Sequence, residues 1–241
     1  MSLPTEQSGG VGAGGAATTV NGVTRRPTVC VFCGASGGDS PEHLAAARDL
    51  GRALHESGIN LVYGGGTAGI MGEIAKTLVS LSGKDAVHGI IPEALLKYER
   101  KYGENGVGDV AQSAIDENIY GRTTVVPDMH TRKQLMAREV IEGGANGGFV
   151  ALTGGFGTME ELMEVVTWNQ LGIHGRGVVV FNVNGYYDGL FQWVNTAVDK
   201  GFISKHNSGI MVEAKTADGV LHALKHYQNS ADRFDLDWTK K

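Results

Sequence analysis

The sequence predicts an α/β fold: a doubly wound, Rossmann-like parallel sheet of about seven strands with helices on both faces. Two observations support this fold class. Short apolar runs alternate with longer helical runs from residue 28 to residue 227, and apolar strands that alternate with helices are typical of a parallel sheet covered on both faces. The chain also holds 37 glycines, many of which stand where a predicted strand passes into a predicted helix, which is where ligands bind in such folds.

Local signals predict the elements of the first half. The apolar run Thr28–Gly34 predicts a buried strand. Ser40-Pro41-Glu42 predicts a helix start, because Ser is a good N-cap and Pro fits the first turn, and Gly58 ends that helix. The elements that follow are expected to be the strand Ile59–Tyr63, the helix Gly69–Leu81, the strand Ala86–Ile91, and a short helix with a loop within 93–118.

The second half continues the alternation and predicts four further strand–helix pairs. They are Thr123–Val126 with Met129–Glu142, Gly148–Leu152 with Thr158–Leu171, Gly177–Val183 with Asp188–Lys200, and Ile210–Glu213 with Ala217–Tyr227. Residues 1–26 are rich in Gly and Ala and hold too few large apolar side chains to fold, so a disordered tail is expected there. Residues 27–230 are then a single α/β domain, followed by a C-terminal tail over 231–241.

Composition excludes several classes of protein. Lys and Arg number 21 against 26 Asp and Glu, a net charge of −5, so a nucleic-acid partner is not expected. No apolar run approaches the roughly 18 residues that span a membrane, and no signal peptide is recognised. A cytoplasmic protein without a membrane partner is therefore expected. Cys30 and Cys33 lie three residues apart in one strand and point to opposite faces, which favours core thiols over a redox pair.

The first glycine-rich loop, 64–72, follows the strand that ends at Tyr63 and contains a G-x-G-x-x-G pattern. This pattern is typical of dinucleotide binding, but here it follows the second strand, and the next strand ends in Ile-Ile-Pro without an acid to bind ribose. An NAD(P) oxidoreductase and a purely structural tight turn both stay open. We favour a third interpretation, in which the backbone closely approaches a nucleotide.

The second glycine-rich loop, 153–158, leaves an apolar strand and enters a helix. Its three glycines let backbone N–H groups face inward, and the helix N-terminus adds partial positive charge, which together suit a phosphate. The loop lacks the lysine of an ATPase P-loop and is followed by Glu160 and Glu161. These carboxylates either favour the helix dipole as first-turn acids or stabilise the sugar cation that develops when an N-glycosidic bond breaks.

A basic motif, DMHTRK over residues 128–133, follows a strand and starts a helix. Arg132 suits bidentate contact with a phosphate or a carboxylate, while a solvated basic pair is the alternative. The motif MHxRK from Met129, together with GGxGTxxE from Gly154, resembles the LONELY GUY family of cytokinin-activating enzymes, formerly described as lysine decarboxylases. The resemblance extends over most of residues 28–228.

This resemblance implies a phosphoribohydrolase that converts a cytokinin riboside 5′-monophosphate, or AMP, into free base and ribose 5-phosphate. It implies no metal and no pyridoxal phosphate, hence no cofactor, and a homodimer or higher homo-oligomer. The expected catalytic residues are Arg132 and Glu161. The expected substrate-binding residues are Gly34, Ser36, Gly65, Gly66, Glu99, Met129, Lys133, Gly154, Gly155, Phe156, Gly157, Thr158, Glu160 and Thr167.

The sequence departs from the family pattern in three places. Thr153 stands where the family has Pro before the glycines, which should cost the loop roughly 0.4–1 kcal/mol of preorganisation. The stretches 103–118 and 142–148 are longer than expected. A non-catalytic nucleotide or cofactor carrier that uses the same loops only for binding is the alternative function.

Overall fold

One seven-stranded parallel sheet organises the part of the chain that the structure, a computed structural model, describes: residues 18–20, 23–102 and 115–238, with side chains over 25–97 and 115–238. The strands are β1 (Thr18–Val20), β2 (Val23–Arg25), β3 (Thr28–Phe32), β4 (Asn60–Tyr63), β5 (Val87–Pro92), β6 (Arg122–Val126), β7 (Gly148–Ala151), β8 (Gly177–Phe181) and β9 (Met211–Ala214). The helices are α1 (Pro41–Glu56), α2 (Gly69–Ser82), α3 (Glu93–Tyr102), α4 (Glu117–Tyr120), α5 (Met129–Ile141), α6 (Phe156–Gln170), α7 (Asp188–Asp199) and α8 (Ala217–Lys225). No helix within these described ranges is long and apolar enough to cross a membrane.

The strand order in the large sheet is β6-β5-β4-β3-β7-β8-β9. At its centre Val31 of β3 pairs in parallel with Tyr63 of β4 on one side and with Val150 of β7 on the other. The chain therefore builds outward from β3 to β6 and then returns to the opposite side of β3. This order confirms the predicted doubly wound fold, and it puts the topological switch point, where ligands bind in such sheets, at the carboxyl ends of β3 and β7.

Two apolar layers cover the sheet. One face packs against α1, α2 and α8, and the other against α5, α6 and α7. Side chains of a strand alternate between the faces, so Val31 enters the first layer and Phe32 the second. Cys30 and Cys33 are buried free thiols in different layers, which confirms their interpretation as core residues on opposite sides of the sheet.

The described structure begins with a small hairpin that the sequence analysis missed. β1 and β2 pair antiparallel, with Val20 opposite Val23, so the expected disordered tail over 1–26 does not hold for its last residues. The overlooked signal is Asn21-Gly22 between two triplets of mainly β-branched residues, because Asn-Gly between such runs is the strongest short-range pattern for a hairpin.

The other end of the chain also packs more than expected. The N–H of Phe234 donates to the carbonyl of Gln170 at 2.8 Å, and the indole N–H of Trp238 donates to the carbonyl of Leu171 at 3.0 Å. These bonds supply partners for carbonyl groups that a helix end leaves free. Residues of the expected C-terminal tail therefore cover the end of α6.

The start of α6 differs from the prediction in a way that bears on function. The helix begins at Phe156, two residues before the predicted start, because Gly155 takes the N-cap position. Glu160 and Glu161 therefore lie beyond the first turn, which holds no acid. Since the effect of a helix dipole falls off within the first turn, the interpretation of these carboxylates as dipole-favouring acids is wrong.

Candidate active site

The loops that follow β3, β4, β6 and β7 meet at the carboxyl ends of the strands. The loop after β3 is tied to the loop after β7, because the N–H of Gly34 donates to the carbonyl of Thr153 at 2.9 Å. It is tied to α2 by the N–H of Met71, which donates to the carbonyl of Gly34 at 3.2 Å. The loop after β4 meets the start of α5 where Gly64 packs against the guanidinium of Arg132. Glycines from separate loops of the sequence thus lie together at the switch point.

Backbone N–H groups at the start of α6 are available to an anion. The first intrahelical bond runs from the N–H of Met159 to the carbonyl of Gly155 at 3.1 Å, so the N–H groups of residues 156–158 have no acceptor within the helix. A Cβ added at Gly155 or at Gly157 would meet no described atom within 4 Å. This open space at the positive end of a helix dipole suits a phosphate monoester. Residues 153–158 are called the phosphate loop below.

The inner side of the phosphate loop is closely packed. The side chain of Thr158 is buried and lies against Gly154, where an added Cβ would overlap the Thr158 hydroxyl and stand 2.9 Å from the nitrogen of Gly34. Gly154 is therefore required for packing. Thr153, at the position of the family's proline, is buried too, and its hydroxyl has no hydrogen-bond partner among residues 25–97 and 115–238.

Arg132 and Glu161 form a buried ion pair between α5 and α6. Nη2 of Arg132 lies 3.3 Å from Oε1 of Glu161, and each side chain is 8% exposed. The contact lacks hydrogen-bond geometry, because Oε1 of Glu161 and Nε of Arg132 have no hydrogen-bond partner in the described part of the chain. The sulfur of Met129 accepts a weak hydrogen bond from Nη1 of Arg132 at 3.6 Å. Buried groups without partners are unusual in proteins, and a bound ligand or water is one explanation for them.

A glycine makes room for this arginine. A Cβ at Gly64 would overlap Nη2 of Arg132 and would lie 3.2 Å from the sulfur of Met71. Gly64 is not among the glycines with positive φ, so it is needed for space rather than for backbone conformation. Sequence reasoning placed Gly65 and Gly66 in the site but missed Gly64, although its position directly after β4 marked it equally well.

Burial raises the pKa of Glu161 to about 7. The guanidinium of Arg132 works in the opposite direction, but it offsets only part of the loss of water around the carboxyl group. Glu160 adds a smaller upward shift of the pKa of Glu161, and Lys133 a smaller downward one. A carboxyl group with this pKa is present in both protonation states near neutral pH, which suits it to general acid–base chemistry.

Lys133 and Glu160 form a second ion pair between the same two helices. Nζ of Lys133 lies 2.5 Å from Oε1 of Glu160 and 3.1 Å from Oε1 of Glu164. Burial lowers the pKa of Lys133, but its hydrogen bonds to the two carboxylates outweigh that effect and raise it above the ordinary value. Lys133 is therefore firmly protonated and already paired.

Two predicted substrate contacts, Thr167 and Glu99, are not found at the phosphate loop among the described side chains. The hydroxyl of Thr167 donates to the carbonyl of Met163 at 2.8 Å, and Thr167 lies about 14 Å along the axis of α6 from Thr158. Glu99 belongs to α3, in the part of that helix whose side chains lie outside the described residues. Their roles stay predictions.

The remaining predicted contacts lie in loops after the strands or at the start of α6. Phe156 is 98% exposed at the first position of α6. Ser36 is exposed in the loop after β3, where its hydroxyl accepts a hydrogen bond from the N–H of Gly38 at 3.3 Å. Gly65, with a φ of 75°, and Gly66 form the turn after β4. These residues belong to loops at the carboxyl ends of the strands, and their contacts with a substrate also stay predictions.

Sequence reasoning assigned no role to two tyrosines that contact the start of the phosphate loop. The hydroxyl of Tyr186 donates to the carbonyl of Gly154 at 2.6 Å, and that of Tyr187 donates to the carbonyl of Leu152 at 2.7 Å. Both tyrosines lie between β8 and α7, at the carboxyl end of a strand. That position was the available signal.

Known proteins resemble this chain in sequence over most of its length. A family model described as possible lysine decarboxylase matches residues 71–224. A bifunctional cytokinin biosynthesis protein of Fusarium pseudograminearum is 53% identical over 210 residues, which cover 87% of this chain but only 42% of that relative. A cytokinin riboside 5′-monophosphate phosphoribohydrolase of Arabidopsis thaliana is 40% identical over 209 residues, covering 87% of this chain and 86% of the relative. A probable enzyme of the same name from Oryza sativa subsp. japonica is 40% identical over 217 residues, covering 89% and 92%.

Solved structures share the fold at much lower identity. The molybdenum cofactor carrier protein of Chlamydomonas reinhardtii has a TM-score of 0.56 at 19% identity, covering 83% of this chain and 97% of that one. The molybdenum cofactor binding protein of Rippkaea orientalis has a TM-score of 0.56 at 16% identity, covering 83% and 96%. At such identities the likeness concerns the fold alone.

Proposed function

This chain belongs to the LONELY GUY family, and from that premise we propose that it hydrolyses the N-glycosidic bond of cytokinin riboside 5′-monophosphates. The products are the free cytokinin base and ribose 5-phosphate, and AMP is the proposed second substrate. The name of the Arabidopsis thaliana relative, which aligns over most of both chains, supports the reaction. The structural observation that carries the proposal is the buried ion pair of Arg132 and Glu161. Glu161 lies about one helical turn beyond the phosphate loop on α6.

Binding begins with the phosphate. The free N–H groups at residues 156–158 and the hydroxyl of Thr158 accommodate the 5′-phosphate, and the open space at Gly155 and Gly157 lets the anion approach the backbone. Glu161 follows Thr158 by one turn of α6, so a ribose attached to that phosphate lies within reach of its carboxylate. We therefore propose that the anomeric carbon, C1′, lies at the buried ion pair.

Glu161 acts at C1′. As the bond between C1′ and the base nitrogen breaks, its electron pair leaves with the base and positive charge develops on the sugar. The ionised carboxylate stabilises that charge and takes a proton from the water that attacks C1′. The departing base nitrogen takes a proton from solvent, and Glu161 returns its own proton to solvent before the next turnover. Arg132 holds the carboxylate in position and favours its ionised form.

The description of the family as possible lysine decarboxylases does not suit the lysine in this site. An amine that forms a Schiff base must lose its proton readily, and enzymes achieve this by lowering its pKa. Lys133 is instead held between Glu160 and Glu164 with a raised pKa. The site therefore favours glycosidic hydrolysis, and we propose that neither a metal nor pyridoxal phosphate takes part.

A product assay tests the proposal. The purified chain is incubated with isopentenyladenosine monophosphate or with AMP, and the mixture is separated by chromatography. We expect free base and ribose 5-phosphate from the wild type, unchanged by a metal chelator, and loss of both products in Arg132→Ala. Nucleotide retained without any product would instead support the carrier alternative. Carbon dioxide released from lysine would support a decarboxylase.

The assembly and location of the chain are further proposals. We propose a homodimer or higher homo-oligomer, as membership of the family implies; a second copy would cover exposed apolar groups such as the ring of Phe156. Light scattering after size-exclusion chromatography measures the mass, and a monomer would refute this. We also propose a cytoplasmic location, which microscopy of a fluorescent fusion would test.

A further inference from the structure

We propose that Tyr186 and Tyr187, called the tyrosine clamp below, position the phosphate loop for anion binding. Their hydroxyls donate to the carbonyls of Gly154 at 2.6 Å and of Leu152 at 2.7 Å, on either side of Thr153. The inference rests on the proposed function only in taking the phosphate loop as the anion site.

The bond from Tyr186 fixes the orientation of one peptide group. In a trans peptide the carbonyl oxygen and the following N–H point in opposite directions, and the described residues contain no cis peptide. When Tyr186 holds the carbonyl of Gly154, it therefore also sets where the N–H of Gly155 points. The N–H of Gly155, the N-cap residue of α6, has no acceptor within the helix, and we assign it as a further donor to the anion. A rotation of this peptide between two glycines would then turn a partly negative oxygen toward the anion in place of that donor. Tyr186 is thus a positioning residue that acts through the backbone.

The clamp is itself held firmly at its base. The side chain of Asn182, which is buried, accepts a hydrogen bond from the N–H of Tyr187 at 2.8 Å. The same side chain donates to Asp188 and to Glu213, each at 2.8 Å. Because all of these bonds converge on one buried amide, the backbone that carries the clamp has little freedom.

The rings of Tyr186 and Tyr187 pack against each other and have different roles. They pack edge to face with centroids 4.8 Å apart, and the ring of His43 of α1 packs edge to face against Tyr186 at 5.9 Å. Tyr187 is buried, whereas Tyr186 is 51% exposed. Tyr187 therefore anchors the clamp to the core, and Tyr186 carries that rigidity to the rim of the phosphate loop.

The test removes one hydroxyl at a time. Tyr186→Phe deletes the bond to Gly154 and keeps the ring. Tyr227→Phe is the matched control, because the hydroxyl of Tyr227 also donates to a backbone carbonyl, that of Ile210 at 3.0 Å, away from the site. The first readout is the dissociation constant of ribose 5-phosphate by calorimetry. The second is the split between KM and kcat for AMP, with adenosine as a competitor that lacks the phosphate.

We expect Tyr186→Phe to raise the dissociation constant of ribose 5-phosphate about three- to tenfold, the range for one hydrogen bond. KM for AMP should rise similarly with kcat within about twofold, because the phosphate is bound equally in the ground and transition states. Inhibition by adenosine and all values for Tyr227→Phe should stay unchanged. Tyr187→Phe should shift affinity in the same direction and lower the melting temperature more, which supplies a second measurement if Tyr186→Phe folds poorly.

Three results would contradict the proposed role of the tyrosine clamp. Tyr186→Phe could bind ribose 5-phosphate as tightly as the wild type, or Tyr227→Phe could lose as much affinity as Tyr186→Phe. The third result is a wild type that does not bind ribose 5-phosphate. The binding assay needs no turnover. A chain that binds ribose 5-phosphate through the clamp but releases no base would refute the proposed function alone. A chain that turns over AMP while Tyr186→Phe changes nothing would refute the clamp alone.

Discussion

Two ion pairs join α5 to α6, and they differ by a single residue in each helix. Arg132 and Glu161 form the buried pair, with both side chains 8% exposed, while Lys133 and Glu160 form the outer pair, in which Glu160 is 55% exposed. Neighbouring residues of a helix point about 100° apart, so one step along α6 takes the carboxylate from the interior to the surface. On α5 the side chain of Lys133, at 11% exposed, stays nearly as buried as that of Arg132. The two pairs therefore have different roles. The carboxyl group of Glu161 has a pKa shifted toward neutrality, whereas the outer pair mainly links the two helices.

Neutralising the inner and the outer acid in separate variants should give the largest difference between the two pairs. Glu161→Gln should lower kcat about 10²–10⁴-fold, the usual contribution of a positioned acid or base. Glu164→Gln removes the second carboxylate that binds Lys133, also on α6, and should change kcat less than about threefold. Steady-state assays of ribose 5-phosphate release measure both. Equal losses in the two variants, or full activity in Glu161→Gln, would remove the distinction between the pairs.

The pH dependence of stability should also distinguish the two pairs. Because burial raises the pKa of Glu161 to about 7, the folded state binds a proton that the unfolded state has released between about pH 4.5 and 7. Stability should therefore fall as pH rises through that window, by at most about 3–4 kcal/mol. In Glu161→Gln this slope should disappear, so the melting temperature of the variant relative to wild type rises from pH 5 to pH 8.

Glu164→Gln is the control for that titration, since it removes the second carboxylate that binds Lys133 and should keep the wild-type slope. Thermal unfolding at several pH values provides the data. A slope in Glu161→Gln that matches the wild type would mean that the inner carboxyl group is not the one that titrates.

A glycine substitution tests whether the position of Arg132 in the inner pair limits activity. Gly64→Ala places a Cβ against the guanidinium of Arg132, so the arginine must move, and kcat/KM should fall about 100-fold, the usual effect of misplacing a catalytic group by about 1 Å. Gly189→Ala is the matched control, because a Cβ there meets no described atom within 4 Å. It should leave kcat/KM unchanged. Wild-type kinetics in Gly64→Ala would show that the position of the arginine is not limiting.

The fold could be predicted from sequence because local signals and global architecture agree. Apolar runs, N-caps and glycines marked every strand of the large sheet, and α5, predicted from Met129 to Glu142, ends at Ile141. The small hairpin of β1 and β2 was missed because composition was weighed over the whole tail, which hid the local Asn-Gly pattern.

The site was harder to predict because it depends on small shifts and distant contacts. Sequence could name Glu160 and Glu161 but could not decide which is buried, since that depends on where α6 begins. An error of two residues turns a helix by about 200°, and here Gly155 as N-cap set the true start. Tyr186 contacts Gly154 across 32 residues of sequence, and only the pairing of β7 with β8 brings them together.

The outer pair should show the smallest effect. Glu160→Gln breaks the bond to Lys133 but leaves Glu164 as a second acceptor, and the lost carboxylate is more than half exposed, where water and salt screen its charge. We expect a loss of unfolding free energy below about 1 kcal/mol, measured by urea denaturation, and a smaller loss in about 1 M salt than at low salt. A loss of several kcal/mol that salt does not reduce would show that the outer pair is as structurally demanding as the inner one. In that case the exposure of the carboxylate would not decide how much each pair contributes to stability.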